Sequence, residues 1–477
     1  MNIATIILDK PAQKVALIEG DRFVSYEELR QLVDRARANL AQAGLGIDGR
    51  LPIIAGNEID FVVATLACLG LGAQVVPVRP TSPVPELERK LASVAASTVV
   101  VGREGSWLVD DGVDLGLTFI DIHAEPTIEA PQIVECDPDH PGFLMLTSGV
   151  ASDAKVAILS HANISWAHGA IQGRGENGLQ SKDITLGVLP FSHIFGLNMV
   201  LLATLCVGGT VVLQSRFDAE GSLDLIRRHG VTVLSGAPPM WRRWAELDAP
   251  ADSLSTIVHA SSGAAALPSS VFAGMRDKYG ITVAEGYGLT ETSPIVTWSR
   301  GIDVKPSSVG KVIEGCEVIL ADVDGTPVDT GDVGEVVIRG PGVFAGYLDS
   351  PSLTEAVLTT DGWFWTGDIG VFDDDGYLYI VDRVKDVVIV SGFNVYPSEV
   401  EMILAQHPGV RGAVAVGEED LETGETVVAH VLGQVTAEEL DAHARAHLSR
   451  YKCPTDYRFV DELPVAASGK LIRRALR

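Results

Sequence analysis

From residue 1 to about residue 300 the chain alternates apolar β-branched runs with helical ones, and no other feature restricts the fold as much. Strands and helices in strict alternation pack as sheets with helices on their faces. Ser25-Tyr26-Glu27-Glu28 sets a hydroxyl at a helix start and a carboxylate three residues on, a capping box. Leu29, Leu32, Val33, Ala36 and Leu40 continue that helix at the spacing of one buried face. Residues 59–72 read as a second apolar helix and 73–78 as a buried strand, with a loop at 80–85 and an acidic, irregular surface excursion at 103–140. Residues 194–213 carry no charge and are long enough to cross a bilayer. Asn198, Gly208-Gly209 and Thr210 break that run, so a buried helix, a turn and a strand are expected there instead of a membrane span.

At about residue 309 the texture changes to short strands separated by Gly, Asp and Pro, a β-rich subdomain reaching 381. The charged cluster Asp382-Arg383-Val384-Lys385-Asp386 follows, then a strand at 387–390, a turn at 391–394 and a helix opened by Pro397. Helices at 397–406 and 436–449 and strands at 413–417 and 426–432 complete a small α+β unit. The fold class expected is therefore α/β, with a large N-terminal domain of layered α/β subdomains plus the β-rich one (1–381), a hinge at 382–386 and a small mobile α+β lid (387–477).

With 477 residues, 46% of them hydrophobic, the chain can bury more than one core. The balance of 36 Lys+Arg against 63 Asp+Glu, net −27, excludes nucleic acid and anionic membrane as main partners and leaves anionic ligands to local positive groups. Five scattered cysteines without a CxxC read as reduced thiols, and Asp9 and Lys10 interrupt any signal peptide, so a cytoplasmic location is expected.

Several stretches carry chemistry. Thr147-Ser148-Gly149, with Lys155 further on, offers hydroxyls, a backbone amide and a charge to an anion, although a phosphate loop of the GxxxxGK[ST] form would have a glycine where Ala154 stands and a hydroxyl where Val156 stands. Strands end in Ser235-Gly236-Ala237-Pro238 and in Ser261-Ser262-Gly263-Ala264-Ala265, small residues that let a flat ligand approach the backbone. In Gly286-Tyr287-Gly288-Leu289-Thr290-Glu291, Tyr287 is suited to stacking on a base, Thr290 to donating to a phosphate and Glu291 to holding Mg²⁺. Asp368, on a Thr-Gly turn, is suited to accepting from both hydroxyls of a ribose. His193 sits in an apolar run, where a histidine is more often packed than catalytic. Lys470 rides a Ser-Gly turn as a mobile cation, and the arginines of 471–477 read as a solvated basic tail.

In this order, the segments GYGLTET, GWFWTGD, DRVKDVVIVSGFNVYP and PVAASGK resemble those of the adenylate-forming superfamily of acyl- and aryl-CoA synthetases, luciferases and peptide-synthetase adenylation domains. The resemblance covers nearly the whole chain and in wording is closest to fatty acyl-CoA ligases. It implies ATP, Mg²⁺ and coenzyme A as cofactors, a small-molecule carboxylic acid as substrate, and a C-terminal domain that swings between two poses. Residue by residue it implies that Gly263, Ala264 and Ala265 line the adenine, with Tyr287 stacked on it and Gly286 and Gly288 among the cofactor-binding residues. Thr147, Ser148, Gly149, Lys155 and Thr290 then meet phosphates, Glu291 the metal, and Asp368 and Arg383 the ribose. Lys385 becomes the pivot, Lys470 the bridge between carboxylate and α-phosphate, His193 a residue of the acyl pocket, and the loop with Gly392 a wall of the pantetheine channel.

The phosphate loop departs from the family's Thr-Ser-Gly-Thr-Thr-Gly run followed by Pro-Lys-Gly. Val150, Ala151 and Ser152 follow Thr147-Ser148-Gly149 here, and Ala154 and Val156 flank Lys155. Each lost donor to a phosphate costs about 1–3 kcal/mol. Two further readings stay open beside acyl-CoA synthesis: loading of an acyl carrier protein, and non-catalytic binding of an acyl group or nucleotide. The absence of Asp from 191–194 argues against amino-acid substrates, and the apolar surroundings favour a fatty or aromatic acid. The sequence does not decide the oligomeric state.

Overall fold

In the computed structural model, which describes residues 2–147, 155–172, 175–322, 325–391, 393–420, 422–464 and 473–476, two large sheets carry the first 300 residues. The nine-stranded sheet runs Lys311–Val312, Thr297–Trp298, Ala284–Tyr287, His259–Ser262, Val233–Gly236, Ile184–Gly187, Thr210–Leu213, Val15–Glu19, Arg22–Ser25. Its six central strands are parallel, and antiparallel strands close both edges. The seven-stranded sheet runs Gly346–Tyr347, Val156–Ser160, Pro141–Leu146, Gln74–Val78, Arg50–Ile54, Thr98–Val101, Thr118–Phe119.

Burial explains these choices. Gln74–Val78 is buried at every position, as a parallel strand covered on both faces must be. In the helix Ile59–Gly70 only Asp60 escapes burial, so this helix lies inside the protein and has no solvent face. The helix Tyr26–Gln42 does carry a solvent face, and Ser25 caps it by accepting from the Glu28 amide at 3.1 Å. The Glu28 carboxylate takes Arg22 at 3.1 Å, so the cap rests on the serine.

Two differences from the sequence expectation bear on function. The buried helix expected after Ile194 is wound as a π-helix over Phe195–Leu202 before continuing as Ala203–Cys206. Gly196 sits so close to the Leu189 and Pro190 carbonyls that a Cβ would lie 2.6 and 2.4 Å from them. Buried Asn198 spans His168 Nε2 and the Ser293 carbonyl, each at 2.7 Å. A wide turn satisfies both constraints, and such turns gather at functional sites. Second, the strands of 309–381 are shared out. Lys311–Val312 closes the nine-stranded sheet, Gly346–Tyr347 joins the seven-stranded one, and Glu317–Ala321, Gly334–Arg339, Phe364–Phe372 and Leu378–Arg383 form a four-stranded antiparallel sheet.

The chain divides into two compact units, residues 1–317 with 339–364, and residues 318–338 with 365–477. The second unit holds the five-stranded sheet of Phe393–Val395, Val388–Val390, Gly424–Gly433, Val410–Asp420 and Asp456–Phe459, with helices Pro397–Ala405 and Ala437–His447 over a core of Val388, Val400, Leu404, Val427, Val431 and Leu440. Residues 382–386 lie inside this unit, where the strand Leu378–Arg383 passes into the 3₁₀ turn Val384–Asp386. Phe393 and Asn394, expected in a turn, belong to a strand, and the Phe393 ring stacks on Tyr451 at 4.8 Å.

One buried amide fixes the segment that brings Gly346–Tyr347 to its sheet. Asn163 Nδ2 donates to the carbonyls of Pro341 at 2.8 Å and Val343 at 3.0 Å, and its Oδ1 accepts from the Ser160 amide at 2.9 Å. Asn163→Ala leaves the buried Ser160 amide and two partly buried carbonyls without their partner, and a loss of about 1–3 kcal/mol is expected. Thermal unfolding measures the loss, and amide exchange should rise selectively over 341–348.

Candidate nucleotide site

Three adjacent parallel strands end side by side. Val233–Gly236, His259–Ser262 and Ala284–Tyr287 pair with Gly236 beside Ser262 and Ser262 beside Glu285, so the chain leaves the sheet at Ala237 and Gly263 beside Gly286, which goes on to pair with Trp298. The carboxyl edge of parallel strands is where ligands of open α/β sheets bind. This edge is lined by residues that add nothing to the backbone. A Cβ on Gly263 would stand 3.1 Å from the Phe195 ring, and exposed Ala264 holds φ +71°, with exposed Ala265 after it. A Cβ on Gly288 would lie 1.6 Å from the Pro294 carbonyl oxygen, so no side chain fits there. Tyr287 is half-buried, and its carbonyl accepts from Val296 at 2.9 Å.

Glu285 lies just under this edge, 3% exposed, and its Oε2 accepts from the Leu267 amide at 3.0 Å. Burial pushes its carboxyl up to about 7 from the ordinary 4.5. Between those two values the folded chain holds a proton that the unfolded chain has lost, so this group's contribution to stability declines as pH rises through the window. In Glu285→Gln an amide oxygen still receives the Leu267 N–H. The variant should gain about 2–3 kcal/mol relative to the wild type between pH ~4.5 and ~7, read from urea unfolding at several pH values.

The next turn carries the acid. Thr290–Thr292 is a single 3₁₀ turn, started by the Leu289 amide donating to Thr292 Oγ1 at 2.8 Å and ended by Ser293 at φ +67°. The Glu291 carbonyl accepts from the Phe344 amide at 2.9 Å, and its Oε1 accepts from the Tyr347 hydroxyl at 2.7 Å. Among the described residues no hydrogen bond engages Oε2. Lys155 Nζ stands 4.8 Å above the Tyr347 ring, and Thr147 donates to the Lys155 carbonyl through its amide at 2.9 Å and its hydroxyl at 3.1 Å. Burial, and then the Glu291 charge, hold the Tyr347 phenol above its usual range, so it donates at every working pH. Tyr347 is a site residue that sequence reading missed: its two-residue strand has no periodicity to detect.

The structure thus brings Lys155 and Glu291 together at Tyr347, with Thr147 bonded to the Lys155 carbonyl, and puts Gly263, Ala264, Ala265, Gly286, Tyr287 and Gly288 along one strand edge. Ser148 and Gly149 lie outside the described residues. No group of three or more His, Cys, Asp or Glu is placed to cage a metal among the described residues. One carboxylate with an unengaged oxygen suits Mg²⁺, which takes one or two carboxylates and completes its shell with waters and phosphate oxygens.

His193 lies two residues before the π-helix, and its carbonyl accepts from Leu197 at 2.9 Å. Its side chain is exposed, which corrects the expectation of a packed core histidine. The surrounding protein still desolvates the ring, and with Arg79 and Lys90 this lowers its pKa, favouring the neutral imidazole.

In the second unit Asp368 and Arg383 face each other across an antiparallel pair, and Arg383 Nε lies 2.8 Å from Asp368 Oδ1. Lys385 is exposed on the turn Val384–Asp386. Gly392 and Lys470 lie outside the described residues. Arg473, expected in a solvated tail, is instead bound. Its Nη2 reaches the Glu401 oxygens at 2.8 and 2.9 Å, and its Nη1 stands 4.0 Å from Asp382 and 3.9 Å from Asp386. Burial outweighs this partner for Glu401, whose carboxyl is pushed up to about 7.

A glycine-lined strand edge beside a lone carboxylate and a lysine is the layout of a nucleotide-binding α/β enzyme. The AMP-binding enzyme profile matches residues 7–348 and the AMP-binding enzyme C-terminal domain profile residues 399–470, and the chain belongs to this family, the adenylate-forming superfamily. Feruloyl-CoA synthase of Amycolatopsis sp is 33% identical over 97% of this chain and 95% of its own length. Long-chain-fatty-acid–CoA ligase of Bacillus subtilis is 35% identical over 75% of this chain and 65% of its own. The crystal structure of ATP-bound MatB from Rhodopseudomonas palustris superposes with a TM-score of 0.92 at 27% identity, covering 100% of this chain and 98% of that one. Among the described residues no helix is long and apolar enough to cross a membrane, as expected for residues 194–213.

Proposed function

We propose that the chain activates an apolar carboxylic acid, aryl before fatty, as its acyl-AMP and then transfers the acyl group to coenzyme A. The observation that carries this reading is the junction at Tyr347, where Lys155 and Glu291, far apart in sequence, meet at one phenol. An ammonium beside a carboxylate with one unengaged oxygen is what a metal-bound triphosphate needs. The aryl preference is supported by the Phe195 ring packed against Gly263, and by a feruloyl-CoA synthase that matches nearly the whole chain where the fatty-acid ligase matches three quarters.

In the first step a carboxylate oxygen of the acid attacks the α-phosphorus of ATP, the bond to the β-phosphate oxygen breaks, and pyrophosphate leaves. In this reading Lys155 and Thr290 bind phosphate oxygens, Tyr287 stacks on the adenine along Gly263–Ala265, and Asp368 and Arg383 hold the ribose. Lys470 offsets the repulsion between carboxylate and α-phosphate and the charge that develops between them. Glu291 would hold Mg²⁺, which would supply charge neutralisation on the phosphates. In the second step the coenzyme A thiol releases its proton to solvent, its sulfur attacks the acyl carbon, the bond to the AMP oxygen breaks, and AMP leaves. A neutral His193 beside the acyl group admits this thiol without adding a charge to the pocket. The two steps need different groups at one carbon, which gives the turn at Lys385 its role as a pivot.

The replacements in the phosphate loop, Val150, Ala151 and Ala154, are what favour the second reading, a binder without turnover. ATP–pyrophosphate exchange across a panel of hydroxycinnamic, benzoic and fatty acids separates the two. Exchange is expected with an aryl acid and should fall by about 10²–10³-fold in Lys470→Ala, the usual effect of deleting one electrostatic stabiliser. No exchange with any acid, while nucleotide or acyl ligand still binds, establishes the binder. Product formation with an acyl carrier protein and none with coenzyme A moves the second step to the carrier.

A further inference from the structure

Tyr347 engages both charged residues on the phosphate side of the site in different ways. Its hydroxyl is spent on Glu291 Oε1 at 2.7 Å, and its ring face lies under the Lys155 ammonium at 4.8 Å. The phenol itself is held firmly. Tyr347 is 7% exposed, and its amide donates to Thr354 Oγ1 at 2.9 Å. Its ring packs edge-on against Phe344 at 4.9 Å, and the Phe344 amide donates to the Glu291 carbonyl. The strand Gly346–Tyr347 is itself paired with Val156–Ser160, which begins directly after Lys155. One buried aromatic residue therefore touches the carboxylate and the ammonium, and its own strand pairs with the one that follows Lys155.

We propose that Tyr347 is a positioning residue for nucleotide binding, aiming the second oxygen of Glu291 at the magnesium of bound MgATP and seating Lys155 for the phosphates. This inference rests on the adenylation reading and adds a residue to it. A carboxylate on a short 3₁₀ turn can rotate about its side-chain torsions. A hydrogen bond to one oxygen removes most of that freedom and leaves the other oxygen facing outward. Lys155 has a flexible four-carbon stem, and the quadrupole of the ring face gives its ammonium a defined resting place.

The two contacts can be removed one at a time. Tyr347→Phe deletes the hydroxyl and keeps the ring under Lys155, while Tyr347→Leu deletes both. Calorimetric titration of the acid-free protein with ATP, once with Mg²⁺ and once with EDTA, separates the effects without turnover. The expected result for Tyr347→Phe is a dissociation constant for MgATP about tenfold higher than wild type, with ATP in EDTA changed less than twofold. Tyr347→Leu should weaken both. Glu291→Gln and Tyr347→Phe should be non-additive for MgATP, because each disables the same carboxylate. Unchanged MgATP binding by Tyr347→Phe, or an equal loss with and without metal, overturns the positioning role and leaves the residue as packing. Failure of the wild-type chain to bind ATP in either buffer overturns the adenylation reading, and this role falls with it.

Discussion

The antiparallel pairing of Gly346–Tyr347 with Val156–Ser160 is the contact on which the rest of the first unit's chemistry depends. Only two residues long, it closes the edge of a seven-stranded sheet. That closure carries a phenol to Lys155 and to Glu291, which belongs to a turn between two strands of the nine-stranded sheet. Its stability is borrowed. The hydrogen bonds from Asn163 to Pro341 and Val343, the Phe344 amide bond to Glu291, and the edge-on packing of Phe344 on Tyr347 and Phe364 hold the segment in place. A strand of two residues has too little ladder to persist alone, so packing in the surrounding core is what gives the site its geometry.

Electrostatics sets a second constraint. A chain of net charge −27 repels a nucleotide at long range, so binding has to come from short-range groups that are few and well aimed. The first unit supplies glycine-rich strand ends, one ammonium and one carboxylate suited to a metal. In the second unit Arg383 is paired with Asp368 at 2.8 Å, which fixes the two side chains relative to each other. Arg473 is drawn into a cluster of three carboxylates, Glu401, Asp382 and Asp386. An arginine so heavily committed cannot also serve a phosphate, which narrows the list of cations open to a ligand.

How much of this was legible beforehand follows from the length and periodicity of each signal. Long elements were readable: the helix Tyr26–Gln42 from its cap and apolar stripe, the strand Gln74–Val78 from an unbroken apolar run, the row of strand ends from repeated Ser-Gly-Ala motifs. The order of the GYGLTET, GWFWTGD and DRVKD segments carried the family. Features that arise from tertiary contacts stayed hidden. The π-helical winding of Phe195–Leu202 comes from the close approach of Gly196 to two carbonyls and from Asn198 bridging His168 and Ser293, partners remote in sequence. Strands of two residues, such as Lys311–Val312 and Gly346–Tyr347, have no period to detect, so 309–381 reads as one β-rich body although its strands join three sheets. Arg473 looks like any tail arginine until Glu401 and Asp382 are seen beside it.

The altered phosphate loop can be weighed by the donors it loses against the groups the chain keeps. A hydroxyl that donates to an ionised phosphate makes a charge-assisted hydrogen bond, worth about 1.5–3 kcal/mol. Two such hydroxyls are missing where Val150 and Ala151 stand, while Lys155, Glu291, Asp368, Arg383 and Lys470 are all kept. In the adenylation reading the loss weakens the grip on the departing pyrophosphate more than the hold on the α-phosphate, where Thr290 and Lys470 are assigned. The expected consequence is a slower or looser first step carried out by the same residues, because a chain that had abandoned the chemistry would have no physical reason to keep five charged groups in register with it.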